Sequence, residues 1–133
     1  MNKSLKIMAD LERIKKFVFE GQEYTIEFPT VGEYMEIENQ KLIQSNGQWV
    51  NLIKNQTVSA FRSIQIIECV SILIVLCPKL FENMKVISYK DIDAIDFIKL
   101  LTIYNDEIGP WYNAWFKQFN EIILSANQKI LSE

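Results

Sequence analysis

The sequence predicts a mainly α-helical protein in which an N-terminal β-hairpin packs on a bundle of about four helices, one of them central and apolar on all sides. Three observations lead to this fold class. Apolar residues alternate with period two near the N-terminus, and they recur at the helical period over most of the remaining chain. Hydrophobic residues make up 49% of the 133 residues, so the chain can build its own core. This length suits a single domain spanning residues 1–133.

The first predicted element is a β-hairpin over about residues 14–28. Four apolar side chains alternate with other residues in its two arms and are expected to share one face: Phe17, Phe19, Tyr24 and Ile26. Gly21–Gln22 fits a two-residue type II′ turn, which has glycine at its first position. With that turn, Lys16 would lie opposite Glu27 as a pair of opposite charges.

The second predicted element is a helix over about residues 30–45, which begins after Pro29 ends the second strand. Thr30 and Glu33 have the spacing of a capping box. Asn46–Gly47 supplies the C-terminal turn. Three apolar residues are expected to line one face of this helix, with two more beside them: Val31, Met35, Leu42, Tyr34 and Ile37.

A connector follows, in which Trp49 and Leu52 are expected to pack on the domain, and it leads to a helix predicted over about residues 57–77. The apolar residues of this helix point in nearly every direction, which is typical of a helix surrounded by protein. Its most apolar run, residues 64–77, is shorter than the ~20 residues that span a membrane, and Glu68 interrupts it. We therefore predict the central core helix and no membrane partner.

Two more helices are predicted, over about residues 89–106 and 110–130. The residues that follow Pro78 are expected to form only a short link before the first of them. Gly109–Pro110 is expected to break the helical course, with the proline at the first position of the last helix.

The last helix carries a wide arc of apolar residues: Trp111, Tyr112, Trp115, Phe116, Phe119, Ile122 and Ile123. At the α-helical period these residues span about 140°, more than the ~100° of an ordinary core-facing stripe. Packing in the core is the first interpretation of this arc. The second is that part of it binds another protein, since tryptophan and tyrosine are favoured binding anchors. On that interpretation the candidate partner-binding residues are Trp111, Trp115, Phe119 and Ile122.

Nothing in the sequence predicts an enzyme, and no catalytic, cofactor-binding or metal-binding residue is assigned. The chain has no histidine, the commonest general base and metal ligand, and no glycine-rich phosphate motif. Asp91, Asp93 and Asp96 could ligate a hard cation, but acidic residues also favour a helix N-terminus, and we prefer that explanation. Glu68 could act as a buried general acid, but we expect it at the rim of the core or paired with a basic residue.

Charge and cysteine usage indicate a cytoplasmic protein. A net charge of −3 and a pI of about 5.1 argue against nucleic acid as a partner, because such binding needs a basic surface. Cys69 and Cys77 lie on one predicted helix, separated by about 12 Å of rise, which is too far for a disulfide bond. Two reduced, buried thiols fit the cytosol. The N-terminal residues lack the features of a signal peptide.

The stretch from Phe17 to Tyr34 reads F-x-F-x-G-x-E-Y-x-I-x-x-P-T-x-G-E-Y. It resembles the N-terminal hairpin and first helix of the tail assembly chaperones of long-tailed bacteriophages, and the rest of the chain is similar in length and helical character. The aromatic last helix and the absence of a frameshift-derived extension depart from that family.

The resemblance implies a non-enzymatic protein of the host cytoplasm that binds the hydrophobic tape-measure protein and keeps it soluble while tail-tube subunits polymerise around it. Its partner would then be the tape-measure or the tail-tube protein. The alternative is a structural subunit retained in the virion, in the tail or neck. Whether the chain also forms a homo-oligomer is left open.

Overall fold

The computed structural model describes residues 12–132, including all side chains except those of residues 119, 123 and 127–132. Within that range the chain is mainly helical, with one two-stranded antiparallel hairpin. The elements are β1 Ile14–Phe19, β2 Gln22–Glu27, α1 Val31–Gln44, α2 Trp49–Lys54, α3 Val58–Leu76, α4 Pro78–Met84, a 3₁₀ turn Tyr89–Asp91, α5 Ala94–Ile103, a π turn Tyr104–Ile108 and α6 Gly109–Ser132. The predicted fold class, a hairpin packed on a helical bundle with one long apolar helix, is confirmed.

The β-hairpin forms where it was predicted, but its turn lies one residue earlier. Glu20 and Gly21 occupy the two central positions with φ of 50° and 75°, and two positive φ angles define a type I′ turn rather than type II′. Lys16 consequently lies opposite Thr25 and not Glu27. Moving the turn by one residue shifts the pairing by two, which leaves every side chain on its predicted face. All four residues of the inner face are buried: Phe17, Phe19, Tyr24 and Ile26.

The inner face of the hairpin packs on the helical core, which is built from residues of β1, β2, α1, α3, α4, α5, the π turn and α6. Phe17 and Tyr24 stack with ring centroids 5.4 Å apart. The hydroxyl of Tyr24 accepts a hydrogen bond of 3.0 Å from Nδ2 of Asn83, and this bond joins β2 to α4. A two-stranded hairpin is marginal by itself in water, so these contacts hold it in place.

Helix α3 is the central helix. Residues 69–73 are all buried, and five consecutive helical residues point in every direction around the axis, so this part of α3 is enclosed by protein as predicted. The hydroxyl of Thr57 caps its N-terminus by accepting from the backbone N–H of Ala60. By length and composition α3 is the one described helix that could cross a membrane, and a buried core helix meets the same criterion.

Helix α1 begins and ends where predicted. The capping box is present: Oγ1 of Thr30 accepts from the N–H of Glu33 at 3.2 Å, and Oε1 of Glu33 accepts from the N–H of Thr30 at 3.0 Å. The residue that enters the core is Ile37, which is fully buried. The three residues predicted to share one face do so, and that face is exposed: Val31, Met35 and Leu42. They lie about 100° or more around the helix from Ile37, so burying Ile37 turns them outwards.

Two segments expected to be irregular are short helices. The link after α3 is α4, in which Pro78 takes the first helical position and Leu80 is fully buried. Proline suits that position because its missing N–H has no partner in the first turn. The connector before α3 contains α2, whose Trp49 is half-buried beneath Nζ of Lys41, 5.5 Å from the ring centroid.

The predicted break at Gly109–Pro110 does not occur. Helix α5 begins at Ala94, later than predicted, and the chain then stays helical through the π turn into α6. The N–H of Gly109 donates to the carbonyl of Tyr104 five residues earlier, and a Cβ at Gly109 would lie 3.1 Å from that oxygen. Pro110 cannot donate a backbone hydrogen bond, and the wider π turn accommodates this loss. Gly109 and Pro110 are therefore accompanied by a wider helical turn, and the helix does not end there.

Candidate functional site

Phe28, which directly follows β2, is the centre of an aromatic cluster. Its ring centroid lies 5.9 Å from that of Trp111, 5.5 Å from Tyr112, 5.0 Å from Trp115 and 5.7 Å from Phe116. These four residues belong to the first two turns of α6, so Phe28 fastens that part of α6 to the end of the hairpin. The interpretation of the aromatic arc as internal packing therefore holds for its first four residues. This role of Phe28 was not predicted from the sequence.

The two indole rings of this cluster share one hydrogen-bond acceptor. Nε1 of Trp111 donates to the carbonyl oxygen of Glu12 at 2.7 Å, and Nε1 of Trp115 donates to the same oxygen at 3.1 Å. A carbonyl oxygen has two lone pairs and can accept both bonds. The polar edge of each indole is thus satisfied within the chain, and the rings are held in a fixed orientation.

A groove opens beside this cluster, between the start of α1 and the first turns of α6. Its volume is about 390 Å³, and it is lined by Phe28, Pro29, Thr30, Val31, Tyr34, Met35, Trp115 and Phe116. We call it the α1–α6 groove. The ring centroids of Tyr34 and Phe116 are 5.2 Å apart, so these side chains join its two walls. Since the hydroxyl of Thr30 is engaged in the helix cap, the lining is almost wholly apolar.

The groove continues into an exposed apolar strip along α1. Val31 is 78% exposed, Met35 is 65% exposed and Leu42 is 46% exposed. Val31 and Met35 also line the groove, so the strip and the groove share an edge. Contiguous apolar surface of this kind is uncommon on a soluble monomer outside binding sites. The sequence predicted that these three residues share one face of α1.

The four predicted partner-binding residues have different surroundings. Trp115 lines the α1–α6 groove. Trp111 is half-buried in the Phe28 cluster and is not part of the groove lining. Ile122 is 38% exposed farther along α6. The side chain of Phe119 lies outside the described residues. The structure thus brings one predicted residue together with residues of α1 that the sequence did not single out.

Helix α1 is acidic, although none of its charged residues lines the groove. Helix α1 carries Glu33, Glu36 and Glu38 and a single basic residue, Lys41. Nζ of Lys41 lies 3.0 Å from Oε1 of Glu38, so one of the three negative charges is compensated. Burial, followed by the charge of Glu38, raises the pKa of Tyr34, which keeps the phenol in the groove wall neutral.

The cluster of Asp91, Asp93 and Asp96 lies at the N-terminus of α5. Oδ2 of Asp93 accepts from the backbone N–H groups of Ile95 at 2.9 Å and Asp96 at 3.4 Å, so Asp93 caps α5. Oδ1 of Asp96 lies 3.9 Å from Nζ of Lys99. Residues 12–132 contain no group of three or more histidine, cysteine, aspartate or glutamate side chains arranged to hold a metal ion. These contacts match the explanation by helix capping and dipole that we preferred.

Glu68 is partly buried on α3. Burial raises its pKa, the positive charge of Lys41 opposes that shift, and the negative charge of Glu38 adds to it. No described basic group lies within 4 Å of the carboxylate, so the predicted ion pair does not form in this part of the chain. Its position at the rim of the core agrees with prediction.

Comparisons with protein-family models, with curated proteins and with solved structures find no match to this chain. What the fold and the groove define is a class of site: an apolar, aromatic-walled groove on a small helical domain. The resemblance to tail assembly chaperones remains a prediction from the hairpin and first helix.

Proposed function

We propose that this protein is a non-enzymatic binding factor that receives an apolar helical segment of another protein in the α1–α6 groove. The observation that carries the proposal is the continuity between that groove and the exposed strip on α1. Large aromatic side chains held in a fixed orientation make good binding anchors, because little conformational entropy is lost when they are covered. Trp115, Phe116 and Tyr34 are such side chains.

The shape of this surface favours a helical ligand. From Val31 to Leu42 the strip extends for about 16 Å along α1, the length of three helical turns. An amphipathic helix that crosses such a surface inserts side chains spaced by three or four residues into the groove. A volume of about 390 Å³ falls within the range of ordinary binding pockets and accommodates more than one large apolar side chain.

The surrounding charge indicates what kind of helix binds. Glu33, Glu36 and Glu38 outnumber Lys41 on α1, and the whole chain carries a net charge of −3. At long range this negative charge favours a ligand helix that is neutral or basic overall and repels an acidic one. An anionic membrane surface is disfavoured for the same reason.

The resemblance of Phe17–Tyr34 to tail assembly chaperones supplies a candidate ligand. Tape-measure proteins are hydrophobic and helical, and they must be kept soluble before the tube assembles around them. A small acidic domain with an apolar groove suits that task, because net charge keeps the complex soluble while the groove covers the client. We therefore propose a tail assembly chaperone of a long-tailed bacteriophage that acts in the host cytoplasm.

Co-expression with the cognate tape-measure protein tests this proposal. Wild-type protein should raise the soluble yield of the tape-measure protein, and Met35→Glu should abolish the gain by placing a charge in the groove. Ile43→Glu is the matched control, because Ile43 is 54% exposed on the same helix and does not line the groove. If the wild type leaves the yield unchanged, or if both variants act alike, the proposal is wrong.

A second candidate function is a structural subunit retained in the virion. The observation that favours it is a separate apolar surface on α5, where Ile95 is 67% exposed and Ile98 is 62% exposed. A subunit with permanent neighbours on several sides would cover such a surface. Mass spectrometry of purified particles separates the two functions, since a subunit is present in the mature virion and a chaperone is absent.

A further inference from the structure

A second cavity lies where the α2–α3 region meets the π turn, and it shares no lining residue with the α1–α6 groove. Its volume is about 430 Å³. The apolar part of its wall includes Ile53 and Phe61, and the polar part includes Gln65, Glu68, Asn105 and Asn113. One carboxylate is thus surrounded by carboxamide side chains and by apolar surface.

The charges around Glu68 do not balance. The charged groups of α1 that act on its carboxylate are Lys41 and Glu38. Nζ of Lys41 is already engaged by Glu38 at a distance of 3.0 Å, and its side chain is only 12% exposed. Lys41 is therefore paired with Glu38, and no described basic group lies within 4 Å of the Glu68 carboxylate. A partly desolvated carboxylate is costly without a partner, so the cavity favours a second cation.

The backbone beside the cavity lacks one hydrogen-bond donor. Pro110 lines the cavity and has no N–H to offer to the preceding turn. The adjacent π turn, Tyr104–Ile108, includes Asn105, whose side chain also lines the cavity. Insertions of this type in helices frequently mark functional sites. The side-chain oxygens of Gln65, Asn105 and Asn113 are further acceptors for a ligand that carries N–H donors.

We propose that this cavity binds an alkylammonium group. The ammonium lies against the carboxylate of Glu68 and donates its remaining hydrogens to the side-chain oxygens of Asn105 and Asn113. The alkyl stem packs on Phe61 and Ile53, as lysine stems pack on apolar surface. A divalent metal ion fits less well, because Mg²⁺ and Ca²⁺ require about six or more oxygen ligands and usually several carboxylates.

An alkylammonium group can come from a free amine or from a lysine side chain of another protein, and two probes distinguish these sources. The first probe is n-butylamine, with 1-butanol as its neutral counterpart. The second is a blocked alanine peptide with one central lysine, with norleucine in place of lysine as its neutral counterpart. Binding is read from the ¹H–¹⁵N shifts of the side-chain amides of Asn105 and Asn113. This site is independent of the function proposed for the α1–α6 groove.

The decisive variant is Glu68→Gln, which keeps the size of the side chain and removes its charge. We expect it to weaken the binding of the amine or of the lysine peptide by at least about tenfold, the effect of losing a partly desolvated charge partner. Glu107→Gln is the matched control, since it changes the net charge equally and Glu107 is an exposed residue of the π turn outside the cavity lining. Phe61→Ala provides a second test, because it shortens the wall on which the stem packs and should also weaken binding.

Saturable binding of n-butylamine that depends on Glu68 supports the proposal and assigns the site to free amines. Saturable binding of the lysine peptide that depends on Glu68 supports it and assigns the site to a protein partner. If neither probe shifts the two amides, or if Glu68→Gln binds as tightly as Glu107→Gln, the proposal is overturned. The dispersion of the backbone amide spectrum shows that each variant is folded.

Discussion

Replacing Phe28 by alanine tests whether the aromatic cluster holds the hairpin and α6 together. The ring of Phe28 has four aromatic neighbours on α6, with centroids between 5.0 and 5.9 Å away. Fully buried phenylalanine residues lose about 3–5 kcal/mol of unfolding free energy on truncation to alanine, and Phe28 is only partly buried. We therefore expect a loss of about 3 kcal/mol, near the lower end of that range. In a domain of this size that loss lowers Tm by roughly 10 °C.

The assay is urea denaturation followed by far-ultraviolet circular dichroism, with the near-ultraviolet spectrum as a measure of aromatic packing. Phe28→Leu keeps most of the apolar volume and should retain more than half of the lost stability, the remainder being the aromatic contribution. Phe61→Ala is the control, because Phe61 is 51% exposed and should cost less than about 1 kcal/mol. If Phe28→Ala costs no more than Phe61→Ala, the cluster does not stabilise the fold and our reasoning is refuted.

Three further predictions concern thiols, charge and backbone. Cys69 is fully buried and burial raises its pKa, so thiol reagents should modify it only as fast as the protein unfolds; labelling at the rate of a free thiol would contradict the enclosed position of α3. Glu68→Gln should raise the unfolding free energy at neutral pH, because burial raises the pKa of Glu68 in the folded state and ionisation is therefore unfavourable there. That gain should shrink as the pH falls through the pKa of Glu68. Denaturation at several pH values measures this trend, and a gain that grows as the pH falls would contradict the prediction. Gly21→Ala should destabilise the protein by about 1 kcal/mol because φ is +75° at this residue, whereas Gly32→Ala in α1 meets open space and should be neutral or stabilising in the same denaturation assay.

Local chemistry made the ends of α1 predictable. A capping box involves residues only three apart, so Thr30 and Glu33 could be recognised without knowing the rest of the fold. The direction in which α1 packs depends on its neighbours, and no periodicity shows which of two apolar faces meets them. For that reason the strip of Val31, Met35 and Leu42 was predicted to share one face, but its exposure was not predicted.

Glycine and proline showed where the backbone departs from a regular strand or helix, but not which turn type or helix geometry forms there. Gly21 suits either a type I′ or a type II′ turn, and the choice depended on whether Glu20 accepts a positive φ, as it does here at 50°. At Gly109–Pro110 the usual signal for a helix break produced a π turn, because the helical segments on either side are held by the core through Leu100 and Tyr112. Tertiary packing overrode the local preference at that point.

The candidate site was predictable only in part. The aromatic arc indicated a special role for the start of α6, and Trp115 indeed lines the groove. The opposite wall comes from α1, more than 80 residues earlier in the chain, and its exposure follows from how α1 packs. The bonds from Trp111 and Trp115 to Glu12 join residues 99 and 103 positions apart, and no sequence pattern signals such a pairing.

Tryptophan fluorescence should report on the Glu12 carbonyl, because the indoles of Trp111 and Trp115 both donate to it. Withdrawal of that one oxygen would leave both indole N–H groups without this acceptor at the same time, which should change the emission of both tryptophans in a single step. The third tryptophan, Trp49, stands beneath Lys41 on another helix and would contribute a steady background. Changes in how the chain enters the hairpin can therefore be followed in the unlabelled protein.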